Sequence, residues 1–526
     1  MALALALCPE IETHVFHDER SASFAALGVA LATGVPAALL CTSGTAATHF
    51  HAAVVEAHQS GVPMVVLTAD RPPELHGVGA PQTIEQANLY GDAARWFHDP
   101  GVPIDEHRTT WRSIASDTWM HAVGYTPGPV HLNLPFREPL VGEVADLPEA
   151  EMVELRSPPL VETTQLLALL EAKRGLIVAG NGVAEAGLVQ QLADATGWPI
   201  VADPLSGCQM LESAVVRFDA LLRYSEFAAA HRPDVVLQLG MPPASKVLAQ
   251  WLAGSKAKHV AVSPVGLVSD PNLVGSEQIH ASIGALCSRL AAEVPKPRDP
   301  AWSDLWLAGD RIAREVIGNA LAGESHLSEP GVARAVTAGI PTGAHLVVAS
   351  SMPVRDVEWF GTPRSDITVH ANRGANGIDG VIATAIGVAI GTGAPTTVLL
   401  GDVAFCHDMS SLAALHARGL DLKIVVTDND GGAIFSFLPQ AGSLPASVFE
   451  QLFGTPHGTD IVEVARAFGL RSYSAETMDE LSAAFDESDT CVVRVASNRK
   501  DNVDAHAQLN DLVVAALEAA LRPHDR

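Results

Sequence analysis

Cysteine is sparse and scattered in this 526-residue chain: Cys8, Cys41, Cys208, Cys287, Cys406 and Cys491, with no Cys-x-x-Cys pair. That spacing argues against a disulfide framework and a thiolate metal site, and suits a reducing cytoplasm. Cations are also in short supply. Lys plus Arg number 33 against 60 Asp plus Glu, a formal charge of -27, which repels polyphosphate backbones and disfavours broad nucleic-acid or anionic-membrane binding. Any anionic ligand must be met by a few placed cations. No uninterrupted apolar run reaches the ~18 residues of a membrane span. The apolar start at residues 1–7 has no basic segment before it and runs at once into Pro9 and Glu10, so it is not read as an export signal. Low-complexity tracts and short-period repeats are likewise missing.

What the chain has is apolar material, 48% of residues against 18% charged, enough for several cores. At ~150 residues per domain the length suggests three or four. Short β-branched runs recur between helical patterns at 35–41, 62–68, 130–134, 176–179, 200–202, 235–239, 260–262, 346–349, 367–369, 397–400, 424–427 and 491–495. Strands buried on both faces read this way, and alternation with helices implies parallel, doubly wound α/β sheets. Such a number of strands exceeds one ordinary sheet. Two proline-bearing stretches, 141–161 and 294–301, read as linkers. The expected domains are therefore 1–142, 160–294 and 302–526.

The strongest local signal is Gly401-Asp402 at the end of one apolar strand, with Asn429 and Gly431 at the end of the next. A helix over 410–417 should return the chain so that both loops lie at the carboxyl edge of one sheet, where ligands of open α/β sheets bind. A carboxylate, an amide oxygen and a backbone carbonyl suit Mg²⁺ or Mn²⁺, hard ions that take their remaining ligands from phosphate and water. On spacing alone an alternative stands: Asp402 only caps a helix, and Asp428-Asn429-Asp430-Gly431-Gly432 is an ordinary turn.

Gly-Asp followed 429 − 402 = 27 positions later by Asn, and then by Gly431, resembles the diphosphate and metal motif of thiamine diphosphate enzymes. Val403 stands where many members have Gly, and Asp428 where a second Asn is common; neither change removes a metal donor. Further blocks narrow the resemblance: Asp18-Glu19-Arg20, Thr42-Ser43-Gly44-Thr45, 68–75 (Thr-Ala-Asp-Arg-Pro-Pro-Glu-Leu), Asn372-Arg373-Gly374-Ala375, Gly377-Ile378-Asp379-Gly380 and 431–435 (Gly-Gly-Ala-Ile-Phe). Together they resemble the 2-succinyl-5-enolpyruvyl-6-hydroxy-3-cyclohexene-1-carboxylate (SEPHCHC) synthases of menaquinone biosynthesis.

The resemblance implies a pyrimidine-binding domain, a central domain without cofactor and a diphosphate-binding domain. It also implies a homodimer or dimer of dimers with active sites between subunits. The metal would be held by Asp402, Asn429 and Gly431, and thiamine diphosphate by Glu19, Thr45, Ile378, Gly401, Asp402, Val403, Asn429, Gly432 and Phe435. Glu19 matches the acid that bonds the pyrimidine nitrogen, and burial there should raise its pKa. Ile378 matches the aliphatic wedge that bends the cofactor. The implied reaction decarboxylates 2-oxoglutarate and adds the resulting carbanion equivalent to isochorismate. Both substrates are dicarboxylates that call for placed arginines, and Arg71, Gln82, Lys246, Ser351, Arg355 and Arg373 match pocket positions. Glu19, Ser351, Arg355 and Arg373 are the expected catalytic set. In the middle domain Lys246 is followed by Val247, where some members carry a second cation.

At the start, the family's first strand and its Pro-Gly-Ser-Arg-Ser loop have no counterpart before the segment that residues 2–7 resemble. The expectation is an exposed sheet edge and uncovered apolar surface, from a start assigned too late or an impaired form. Gly180-Asn181-Gly182 hints at a dinucleotide fingerprint, but Glu185 occupies the third glycine position, so it reads as a turn. The alternatives are another thiamine diphosphate-dependent 2-oxoacid decarboxylase or carboligase, and a catalytically silent cofactor-binding protein.

Overall fold

The computed structural model describes residues 1–142, 163–268, 270–271, 273–294, 299–324, 326–416 and 418–521. Much of the expected linkers 141–161 and 294–301 lies outside them. The chain forms three parallel sheets. In the first, β1 (Ala37–Cys41), β2 (Met64–Asp70), β3 (Trp96–His98) and β4 (Pro129–Pro135) are ordered β1-β2-β4-β3. In the second, β5 (Gly175–Ala179), β6 (Ile200–Ala202), β7 (Ala214–Val215), β8 (Val235–Leu239), β9 (Lys258–Ser263) and β10 (Glu277–His280) run β10-β9-β8-β5-β6-β7. The third orders β11 (His345–Val348), β12 (Thr368–His370), β13 (Thr396–Gly401), β14 (Leu422–Asp428), β15 (Arg471–Ser474) and β16 (Cys491–Ala496) as β12-β11-β13-β14-β16-β15. All twelve expected apolar runs fall on strands, each within a few residues of its expected ends.

Contacts divide the chain into two compact units. One holds residues 1–157, 372–394 and 407–422, and the other holds 158–371, 395–406 and 423–526. In the first unit, the helix Glu19–Thr33 crosses the helix Val381–Thr392 at backbone contact. A Cβ on Gly28 would fall 2.0 Å from the Thr384 carbonyl oxygen, and one on Gly387 would fall 1.9 Å from that of Ala25. The crossing therefore admits only glycine at both positions. Residues 2–6 form a short helix with no buried side chain, and β1 is an edge strand.

In the second unit, a core around β5, β6 and β8 buries Ile177, Leu192, Trp198, Leu237 and Leu239. The helices Ala301–Ala322 and Arg499–Leu521 share a further cluster through Trp306, Ile317, Leu509 and Val513. One expectation is corrected here. The helix placed at 410–417 starts earlier, at Asp402, and runs to Asp408 before a 3-10 segment at Met409–Ala414; residue 417 lies outside the described residues. Val403, Ala404 and Phe405 extend the apolar pattern of β13, which hides the break from a strand-period reading. None of the six cysteines is in a disulfide. Among the described residues no helix is long and apolar enough to cross a membrane.

Candidate active site

The carboxyl edge of the third sheet gathers the expected metal donors. Because β13 neighbours β14, their ends place Asp402 beside the 428–432 loop. Asp402 is 1% exposed. Its Oδ2 accepts the N–H groups of Asn429 (3.1 Å) and Gly431 (2.8 Å), and its Oδ1 accepts that of Val403 (2.7 Å). Burial raises its pKa against the amides of Gly431 and Val403, and Asp428 raises it further. Asp428 is already paired, its Oδ2 accepting from Arg494 Nε at 2.5 Å, so it is the buried Asp402 carboxylate that calls for a cation.

Gly431, at φ +139, packs so closely that a Cβ would meet the Gly454 carbonyl oxygen at 1.9 Å. Asn429 is also buried, and its amide is oriented: Nδ2 donates to Glu329 Oε1 at 2.9 Å. Its Oδ1 is buried without a hydrogen-bond partner. An oriented, unpaired amide oxygen next to a buried carboxylate fits a hard divalent ion. Glu329 also accepts from Ser497 Oγ at 2.7 Å, and burial followed by the charge of Asp356 pushes its carboxyl up to about 7.

The same sheet edge carries Ser351, just past β11, at the start of the helix Met352–Phe360. Arg355, one turn on, donates through Nη1 to the carbonyls of Ser350 (3.2 Å) and Ser351 (2.5 Å). These two expected substrate residues therefore meet. Lys246 opens the helix Lys246–Ala253 and is exposed. Phe435 packs against Phe453, ring centroids 5.4 Å apart, while Gly401, Val403 and Gly432 are half-buried.

In the other unit, Glu19 is the first residue of its helix, behind the Asp18 cap, whose side chain accepts the Arg20 N–H. Glu19 is only half-buried in the single chain, short of the full burial expected. Thr45 is exposed at the start of the short helix Thr45–Thr48. Gln82 turns back on the loop before it, its Nε2 donating to Thr42 Oγ1 (2.8 Å) and to the Ser43 carbonyl (3.2 Å). Arg71 follows β2, where Asp70 accepts its N–H at 2.7 Å, and its Nε is buried without a hydrogen bond. Arg373 and Ile378 are half-buried in the 372–380 loop. That loop is tied to buried Glu56, whose carboxylate accepts the N–H groups of Gly374 and Ala375, each at 2.7 Å.

Three residues of these constellations escaped the sequence reading. Glu56 sits within an apolar helical pattern, and Glu329 looks like a first-turn acid between Ser328 and Pro330. His457 lies in a Gly-Thr-Pro-His-Gly stretch with no partner nearby in sequence, and the fold carries it to Asp402, with Nε2 3.3 Å from Oδ2.

The chain matches the thiamine pyrophosphate enzyme N-terminal TPP binding domain over residues 1–89, the middle domain of thiamine pyrophosphate over 151–348, and the thiamine pyrophosphate enzyme C-terminal TPP binding domain over 349–495. Fold comparison agrees. A benzoylformate decarboxylase from Polynucleobacter necessarius aligns at TM-score 0.69 and 16% identity, covering 93% of this chain and 92% of that one. A putative thiamin diphosphate-dependent enzyme from Mycobacterium smegmatis aligns at TM-score 0.68 and 18% identity, covering 94% of each. The class is a thiamine diphosphate enzyme, with its divalent metal.

Within the class, SEPHCHC synthase of Chloroflexus aurantiacus is 39% identical over 99% of this chain and 92% of its own length. That of Rubrobacter xylanophilus is 39% identical over 97% and 92%, and that of Thermobifida fusca 40% over 98% and 94%. The chain belongs to the SEPHCHC synthase family, transferases of menaquinone biosynthesis.

Proposed function

We propose that this chain decarboxylates 2-oxoglutarate and adds the four-carbon unit to isochorismate by 1,4-addition, releasing CO₂ and SEPHCHC. The observation that carries the reading is the unpaired, oriented Asn429 Oδ1 beside the buried Asp402 carboxylate. With the Gly431 carbonyl, these would hold Mg²⁺ or Mn²⁺ and, through it, the cofactor diphosphate. Thiamine diphosphate, when bound, supplies the nucleophilic carbon and the electron sink that decarboxylation needs.

The chain's own residues do the rest. Glu19 holds a proton at the pyrimidine nitrogen and so sets the ring tautomer. Ile378 wedges the two rings, and Thr45, Gly401, Val403, Gly432 and Phe435 complete the cofactor cradle. Arg71, Lys246, Arg355 and Arg373 orient the substrate carboxylates, with Ser351 and Gln82 as neutral donors. Half-burial of Glu19 in one chain supports a homodimer or dimer of dimers whose second subunit covers it, built from domains 1–142, 160–294 and 302–526. Cysteines held outside any disulfide suit a cytoplasmic enzyme.

The test is purified protein with thiamine diphosphate, Mg²⁺, 2-oxoglutarate and isochorismate, with CO₂ release, product mass and light-scattering mass measured together. CO₂ without a carboligated product would favour a plain 2-oxoacid decarboxylase. Bound cofactor without CO₂ release would leave the silent binding protein.

A further inference from the structure

One histidine in the second unit has its donor capacity unused. His457 is held by its backbone to the metal loop, since Asp430 Oδ1 accepts the N–H groups of His457 and Gly458, each at 2.8 Å. Its ring is oriented from within its own segment: Nδ1 lies 3.0 Å from the Thr459 backbone N–H. Nε2 is buried, makes no hydrogen bond, and stands 3.3 Å from Asp402 Oδ2. Asp402, Asp428 and His457 bring ligand atoms within 4.8 Å of one another, which at first resembles a metal site of two carboxylates and an imidazole.

The tautomer decides otherwise. A backbone N–H can only donate, so Nδ1 must present its lone pair to Thr459. The single proton of a neutral ring then sits on Nε2. A protonated nitrogen has no lone pair to give a metal. Asp402 Oδ2 already accepts two amides, so it leaves the imidazole N–H poorly served. What this N–H lacks is an anionic acceptor, and an ion held by Asp402 and Asn429 would bring one.

We infer that His457 binds a phosphate oxygen of the cofactor diphosphate through Nε2–H and does not ligate the metal. The inference rests on the reading of Asp402, Asn429 and Gly431 as the metal–diphosphate site. It makes the 457–459 segment part of the cofactor cradle.

Calorimetric titration of thiamine diphosphate into the purified chain, at saturating Mg²⁺ and separately at saturating Mn²⁺, tests it. His457→Ala should weaken the cofactor about tenfold or more, the loss of one hydrogen bond to a charged group, by the same factor with both metals. His457→Gln, which keeps a side-chain N–H donor, should recover most of the loss, and both variants should melt like wild type without cofactor. Electron spin echo of the Mn²⁺–cofactor complex should show no directly bound imidazole nitrogen. Wild-type affinity in His457→Ala, a loss confined to one metal, no recovery in His457→Gln, or a coordinated nitrogen would each overturn the assignment. Asp402→Ala separates this from the parent reading. Retained metal-dependent binding there removes the site itself, whereas loss there beside an unaffected His457→Ala removes only the histidine.

Discussion

Asp402 and Glu19 are both acids at the first turn of a helix, yet the chain treats them oppositely. Asp402 is buried and takes three backbone N–H groups from its own and the neighbouring loop. Glu19 stands half-buried, and no side-chain hydrogen bond to it is found among the described residues. Its clearest imprint is on Cys41, whose thiol is pushed up to about 12 by burial and then by the Glu19 charge. The difference separates an acid whose partners are already in place from one whose partners are not. Preorganised donors around Asp402 cost nothing at the moment of binding, whereas Glu19 keeps part of its surface open.

The sharpest way to break this contrast is Asp402→Ala, which should abolish metal-dependent cofactor binding in calorimetry, because it removes a donor and leaves the Asn429 and Gly431 amides unpaired. Ordinary retention of the cofactor would show that the 402–431 loops are turns and nothing more. Glu19→Gln should behave differently, binding cofactor within a few-fold of wild type while exchanging the thiazolium C2 hydrogen on the order of 10²-fold more slowly or worse. Wild-type exchange measured by NMR would strip Glu19 of its role.

How much was legible follows the same division. Central strands announce themselves because both faces are buried, as in β5 and β8. The strands that escaped, β3, β7, β10 and β15, are all sheet edges, and three of them carry partly exposed side chains. An edge strand has less need to be apolar, so these four carry no run to read, although the edges β1 and β12 do. Asp402 and Asn429 were legible because a strand end fixes each. His457 and Glu329 were not, since each meets the site from a distant segment through a contact that only the fold creates. Glu19 was legible only through family resemblance.

Smaller effects should distinguish the arginines from the lysine. Arg355 is held to the Ser350–Ser351 turn, so Arg355→Ala should raise KM for 2-oxoglutarate about ten- to a hundredfold, the worth of a charge-assisted contact. Lys246 is exposed at a helix start and should cost less than about threefold, as exposed ion pairs do. Equal effects of the two in steady-state kinetics would mean that single-chain exposure says nothing about the assembled pocket.

The last effect is one of stability alone and concerns the buried Thr68–His131 pair between β2 and β4. Thr68 Oγ1 donates to Asn133 Oδ1 at 3.0 Å, so it must accept from His131 Nε2, 2.8 Å away. The proton is then on Nε2, and His131 Nδ1 is buried without a partner. Burial lowers this histidine to about 4, against the charge of Asp99. The unfolded chain binds the proton near pH 6.5 and the folded chain refuses it until about 4, so stability is fully present above 6.5 and falls as pH drops through that window. At 1.36 kcal/mol per unit, the loss at pH 5 is about 2 kcal/mol. His131→Gln keeps the donor to Thr68 but cannot titrate. In urea melts of the metal-free protein its stability difference between pH 7.5 and pH 5 should shrink by that amount, while metal-dependent calorimetry at pH 7.5 stays at wild type. An unchanged pH difference would mean that the histidine is protonated where it sits, and that the β2–β4 pair is wetter than its burial implies.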